Sequence, residues 1–181
     1  MVKKREIILG VTGSIAVYKS CDLIRRLQDA GFNVSAVMTK EAEEFITPLT
    51  LETLSGNRVY RQMFKEAGES WEIDHISLAE KADLVLIAPA TANIIGKIAY
   101  GICDDILTCT VISTQAPVVI CPAMNEAMYK NKIVQENIKK LQTLGYKFVE
   151  PVKGKLACGK AGVGCLAPIE VIVEAVKKIL R

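Results

Sequence analysis

The only histidine in this 181-residue chain is His75, so any imidazole proton chemistry near neutral pH falls to that residue. Cys158 stands in the glycine-rich run Leu156-Ala157-Cys158-Gly159-Lys160-Ala161-Gly162-Val163-Gly164, with Lys155 and Lys160 at hand to favour a thiolate. A thiol there can donate a proton to a trapped intermediate, or it is an ordinary loop cysteine. Asn125, between Met124 and Glu126, can cap the helix that follows, or its amide can hold a carboxylate. Thr12-Gly13-Ser14-Ile15 puts a glycine and a hydroxyl where a strand gives way to a helix. Unpaired N–H groups and the helix dipole favour a phosphate at such a point, although Gly13 can equally make a tight turn and Ser14 a cap. The motif is not GxGxxG, and the second strand ends in Met38-Thr39-Lys40 instead of the acidic residue that holds a ribose in dinucleotide folds, which disfavours NAD. The Thr39 hydroxyl suits a mononucleotide, or is an ordinary N-cap.

These residues need strand ends to bring them together. Strand and helix patterns alternate along the chain, which predicts a parallel sheet with helices on both faces. Strands are expected at Glu6–Thr12, Asn33–Met38, Ala82–Ala88, Pro117–Cys121 and Tyr146–Val149, with Leu84-Val85-Leu86-Ile87 central. Helices are expected from Ile15 to Ala30, at Thr91–Tyr100, Asp104–Ser113, Lys132–Leu144 and Glu170–Leu180, with shorter helical turns near Lys40–Phe45 and Thr50–Ser55. Residues 56–71 read as irregular, the approach to His75 carries no assignable pattern, and 151–168 reads as a long loop of the kind that serves function. In open α/β sheets ligands bind outside the carboxyl ends of the strands, so one crevice would collect Thr12-Gly13-Ser14-Ile15, Met38-Thr39, Pro89-Ala90-Thr91-Ala92-Asn93 and Pro122-Ala123-Met124-Asn125.

Composition sets the outer bounds. The chain is 50% hydrophobic and 24% charged, enough to bury a core in one domain. Its 23 basic and 20 acidic residues leave a charge of +3 without a basic arm or run, which gives no support to a nucleic-acid role. No apolar run approaches the ~18 residues of a membrane span, and without a secretory signal a cytoplasmic protein is expected. Six cysteines without CxxC spacing make a poor zinc inventory, so no metal is expected and the cysteines read as reduced thiols.

Together, Gly13-Ser14-Ile15-Ala16-Val17-Tyr18-Lys19, Asp74-His75-Ile76, Pro89-Ala90-Thr91-Ala92-Asn93, Pro122-Ala123-Met124-Asn125-Glu126-Ala127-Met128 and Ala157-Cys158-Gly159 resemble the flavin-dependent cysteine decarboxylases. Within them the closest resemblance is to the phosphopantothenoylcysteine decarboxylases of coenzyme A biosynthesis, and it runs from Glu6 to Leu180. It implies a Rossmann-like or flavodoxin-like three-layer α/β sandwich with a mainly parallel sheet, in a single domain spanning residues 1–181 with a flap at about 151–168. It also implies FMN as cofactor, lined by Gly13, Ser14, Ile15, Thr39, Thr91, Ala92, Asn93 and Ala123, in a homotrimer or dodecamer with FMN at subunit interfaces. His75 would then come from a neighbouring protomer.

The implied reaction oxidises the substrate thiol to a thioaldehyde, loses CO₂ into that electron sink, and reduces and protonates the resulting enethiolate. Cys158 would supply the last proton, Asn125 would hold the substrate carboxylate, His75 would serve binding and activation, and Met128 would shape the substrate pocket. The sequence departs from the family pattern at Thr91, Ile94 and Tyr129, and in the flap at Lys160, Cys165 and Pro168. A flavin prenyltransferase or a non-catalytic FMN-binding regulator of the same fold is the alternative, against which His75, Asn125 and Cys158 weigh. The bifunctional members carry a second, ligase domain, and whether one accompanies this chain stays open.

Overall fold

A computed structural model describes residues 4–63, 73–157 and 159–181. Chain entry is through β1 (Glu6–Val11), followed by a 3₁₀ turn at Ile15–Tyr18 and then α1 (Lys19–Asp29) and β2 (Asn33–Met38). After α2 (Pro48–Ser55) and α3 (Asp74–Lys81) come β3 (Leu84–Ala90), α4 (Ala92–Tyr100), α5 (Ile106–Ser113) and β4 (Val118–Pro122). The short α6 (Glu126–Tyr129), α7 (Lys132–Thr143) and β5 (Lys147–Phe148) lead to β6 (Val152–Lys155), β7 (Ala161–Cys165) and α8 (Ile169–Ile179).

Among the described residues, β1 to β5 form one all-parallel sheet in the order β2-β1-β3-β4-β5, the flavodoxin-like order. Strand alternation splits the core in two. Ile7, Leu9 and Val11 of β1 meet Leu23, Ile24 and Leu27 of α1, Leu51 of α2, and Ile172, Val173 and Val176 of α8 on one face. Ile8 of β1 and Val85 and Ile87 of β3 meet Leu78 of α3, Ile94, Ile95 and Ile98 of α4, Leu107 of α5, and Ile138 and Leu141 of α7 on the other. Every residue of β3 is buried, as its unbroken apolar run requires of a strand covered on both faces. Each fully buried Leu or Ile in these layers contributes about 1.5–3 kcal/mol by leaving water.

Two expectations need correction, and one segment left unassigned gains its structure. The helix expected to start at Ile15 begins as a 3₁₀ turn, and α-helical structure starts at Lys19. The segment approaching His75 enters helix at Asp74, where Leu78 and Ala79 supply the buried stripe; two apolar positions are too few for a period to show. The expected loop at 151–168 contains an antiparallel hairpin, β6 with β7, separate from the main sheet. Its strands hold Lys153, Gly154, Lys155, Gly162 and Gly164, so no apolar alternation announces it.

Candidate functional site

Strand order reverses direction between β1 and β3, which opens a crevice at their carboxyl ends. Thr12 closes its floor: its hydroxyl donates to the Pro89 carbonyl at 2.8 Å and accepts from the Thr91 N–H at 3.1 Å. The ends of both strands are thereby held in one geometry. Two clefts flank this point. The smaller, of about 240 Å³, is lined by Gly13, Thr39, Glu41, the Thr91-Ala92-Asn93-Ile94 turn and Met128. The larger, of about 350 Å³, lies between Ser14, Ile15, Tyr18 and Lys19 on one side, Ala123, Met124 and Asn125 on another, and the hairpin residues Lys155, Leu156, Gly164 and Cys165 on the third.

Local structure explains each side chain's position. Gly13 carries no side chain because a Cβ there would lie 2.5 Å from the Cβ of Glu41, so the turn after β1 packs directly on the turn after β2. Ser14 caps the 3₁₀ turn by accepting from the Ala16 N–H at 3.4 Å, and Thr91 caps α4 by accepting from the Ile94 N–H at 3.3 Å. Asn125 caps α6: its Oδ1 accepts from the Ala127 N–H at 2.8 Å. The cap therefore uses the acceptor end of the amide.

Thr39 differs from these. Its residue is 6% exposed, and its Oγ1 is buried without a hydrogen-bond partner. A buried hydroxyl left unpaired costs about 1–3 kcal/mol, and this one sits in the wall of the smaller cleft.

The hairpin is held against the larger cleft mainly by backbone. The Met124 N–H donates to the Gly164 carbonyl at 3.0 Å, and the Val163 N–H donates to Glu126 Oε1 at 3.2 Å. Gly164, at φ 151°, approaches so closely that a Cβ would fall 2.1 Å from the Met124 carbonyl oxygen. Lys130 pairs with Glu126 at 2.9 Å. The Lys130 ammonium and the Val163 N–H hold the Glu126 carboxyl below its ordinary value of 4.5. Behind α6, burial and then the Glu150 carboxylate, which accepts from the phenol, push Tyr129 up to about 12.

His75 lines neither cleft. It lies near the start of α3, half-buried, with Nδ1 enclosed and without a partner among the described residues, beside Asp74, which pairs with Arg58 at 3.9 Å. Cys158 falls outside the described residues. The crevice thus unites Gly13, Ser14, Ile15, Thr39, Thr91, Ala92, Asn93, Ala123, Asn125 and Met128. Met128, expected on the substrate side, stands with Thr39 and Asn93 in the smaller cleft.

A family model described as Flavoprotein matches residues 1–181. This chain belongs to the flavoprotein family. It is 49% identical over 178 residues, 98% of its length, to the coenzyme A biosynthesis bifunctional protein CoaBC of Bacillus subtilis (strain 168), of which it covers 44%. It is 43% identical to a Streptococcus mutans protein named "Probable phosphopantothenoylcysteine decarboxylase", covering 97% of this chain and 99% of that one. The chain therefore spans less than half the length of the bifunctional relatives. Among solved structures it is similar to a PPC decarboxylase mutant complexed with pantothenoylaminoethenethiol, with TM-score 0.85, 31% identity, and coverage of 97% of this chain and 98% of the other. It is equally similar to the FMN-dependent cysteine decarboxylase SpaF, with TM-score 0.84, 31% identity and 98% coverage of both chains.

In this flavoprotein-family member the cleft residues that sequence reasoning did not single out as site residues include Tyr18, Lys19, Lys155 and Leu156. The first two follow Ile15, at the end of the 3₁₀ turn and the start of α1. The other two reach the cleft only because the hairpin folds back onto Met124, a contact that no spacing in the sequence encodes.

Proposed function

We propose that this protein is an FMN-dependent phosphopantothenoylcysteine decarboxylase. The observation that carries the reading is the buried, unpaired Thr39 hydroxyl in a cleft at the β1/β3 switch point, beside the Asn125-bearing cleft. A ligand with hydrogen-bonding groups would pair that hydroxyl, and the sheet edge is where an α/β fold binds a mononucleotide. The residues fit a flavin: Gly13, Ser14 and Ile15 with Thr39 and the Thr91-Ala92-Asn93 turn would hold FMN, with Ala123 at the boundary of the second cleft. The near full-length likeness to the Streptococcus mutans protein supports the substrate and the reaction.

FMN, when bound, supplies a two-electron acceptor that can oxidise a thiol-bearing carbon and later return the electrons. The need for it is chemical. A cysteine carboxylate has no acceptor for the electron pair left by CO₂, whereas a thioaldehyde beta to the carboxylate provides one. The chain's own residues then bind and position. The Asn125 amide donates to the substrate carboxylate and fixes it near the reacting carbon. The hairpin, moored at Met124 and Glu126, walls the substrate off from water. Cys158 supplies the proton that completes reduction of the enethiolate.

His75 serves a neighbouring protomer's site in a homotrimer or higher oligomer. This accounts for its lining neither cleft, and for exposed apolar side chains at the cleft mouths: Ile15 at 56% exposure, Tyr18 at 63% and Met128 at 49%. Assembly would cover that surface.

A visible spectrum of the purified protein, repeated after anaerobic addition of phosphopantothenoylcysteine with mass analysis of the products, tests the whole reading. Oxidised flavin at about one per chain and a product lighter by CO₂ are expected. Flavin without turnover would overturn the decarboxylase assignment in favour of the prenyltransferase or regulatory alternative. A protein that takes up no flavin on reconstitution would overturn the site itself.

A further inference from the structure

Two thiols lie together outside both clefts, on the connection from α4 to α5. The chain leaves α4 at Gly101, runs exposed through residues 101–104, and re-enters helix at Asp105. There Asp105 and Thr108 form a reciprocal cap that fixes the start of α5. Cys103 is exposed on the connection, and Cys109 is half-buried one turn into α5. The Cys109 thiol donates to the Cys103 carbonyl at 3.4 Å, and the Cys103 thiol donates to the Gly101 carbonyl at 3.5 Å. The Cys109 sulfur therefore stands against the backbone of Cys103 itself.

Lys97 moors the connection by pairing with Asp104 at 2.8 Å and Asp105 at 3.0 Å. Cys109 is held by the capped helix and cannot travel far, whereas the exposed Cys103 can turn toward it. A disulfide needs Cβ atoms about 3.5–4.5 Å apart, which a turn of the exposed Cys103 toward Cys109 would supply.

We propose that Cys103 and Cys109 are a reversible dithiol–disulfide pair, a modification site for low-molecular-weight disulfides such as oxidised glutathione. The Cys103 thiolate attacks one sulfur of the disulfide RSSR, forming a protein–SR bond and releasing RS⁻. The Cys109 thiolate then attacks the Cys103 sulfur, forming the Cys103–Cys109 bond and releasing the second RS⁻. Two protein thiols are oxidised, one RSSR is reduced to two RSH, and the two thiol protons pass to the released thiolates. Burial raises the Cys109 pKa, and the neighbouring Cys103, Asp105 and Asp104 raise it further, so the second step speeds up as pH rises. The bond ties the connection to α5, the helix against which α3 packs.

The protein as purified is incubated without denaturant in excess oxidised glutathione at about pH 8.5, quenched with acid, unfolded, alkylated with N-ethylmaleimide and mapped by mass spectrometry. The wild type is expected to lose the label at both Cys103 and Cys109, to be lighter by two hydrogens with no glutathione attached there, and to regain both labels after dithiothreitol. Cys109→Ser is expected to stop at a glutathione adduct on Cys103, and Cys103→Ser to leave Cys109 labelled. Persistent labelling of both wild-type thiols, a stable glutathione adduct on wild-type Cys103, or a bond from either residue to another cysteine would overturn the proposal. Because the readout is independent of turnover, it stands or falls separately from the decarboxylase reading.

Discussion

At Thr39 a valine would keep the shape of the side chain and remove the hydroxyl that the folded chain leaves unpaired. Thr39→Val is therefore expected to leave the flavin-free protein as stable or up to about 1–2 kcal/mol more stable, while weakening flavin binding about tenfold. Thermal melting of the apoprotein and a flavin fluorescence titration read the two effects separately; a destabilised apoprotein with unchanged affinity would assign the hydroxyl to the fold. Asn125 allows a second test, because aspartate caps a helix as well as asparagine does. Asn125→Asp is expected to keep the fold and the flavin absorbance but to lower turnover at least about 100-fold by opposing the substrate carboxylate. Both residues illustrate what residue type can and cannot say. The cap at Asn125 was one of two readings open from the sequence and is present. The missing partner of Thr39 was invisible, because satisfaction of a hydroxyl depends on what the fold brings near it.

The β6–β7 hairpin is the element whose docking is most easily undone, since it shares no strand pairing with the main sheet. Gly164→Ala would force a Cβ against the Met124 carbonyl and is expected to release the hairpin locally. Hydrogen exchange should then quicken about tenfold or more at the Met124 and Val163 amides while β1 and β3 keep their protection. The same contact carries a pH dependence. The Glu126 carboxyl lies below its ordinary 4.5 in the folded chain, so its support of the hairpin is complete above pH 4.5 and is lost as pH falls through the lowered folded value. Exchange at Val163 followed from pH 6 downward in the wild type and in Glu126→Gln checks the sign: the variant's protection should start lower and lose that acid-dependent step. Elements with a strong period, such as β3 and α7, were readable in advance because their burial is one-sided or complete over many residues. The hairpin was not, since its stability comes from its own backbone pairing and from contacts with a segment some forty residues earlier.

For the whole molecule the decisive question is whether the proposed role of His75 is played in a neighbouring subunit's site. A site completed across subunits predicts that a His75→Asn protein and an Asn125→Asp protein, each inactive alone, regain partial activity when mixed and allowed to exchange subunits. In such a mixed oligomer some sites carry both intact residues. Activity assays before and after subunit exchange, beside light scattering for the assembly's mass, provide the check; persistently inactive mixtures of confirmed hetero-oligomers would place His75 within its own chain's site. Among the described residues no helix is long and apolar enough to cross a membrane, and the two cores on either side of the sheet account for most of the large apolar side chains.

By itself the sequence determined the alternation of strands and helices, the parallel sheet, and which strand ends carry polar residues. Those properties follow from local period, capping chemistry and the rule that crossover connections bring successive strand ends to one edge. The tertiary structure alone decided that the Thr12 hydroxyl bridges β1 and β3, that Thr39 is buried unpaired, that the hairpin walls the larger cleft, and that His75 stays outside it. Each of these is a distance between segments far apart in the chain, set by sheet order and layer packing, and no pattern within one segment records it.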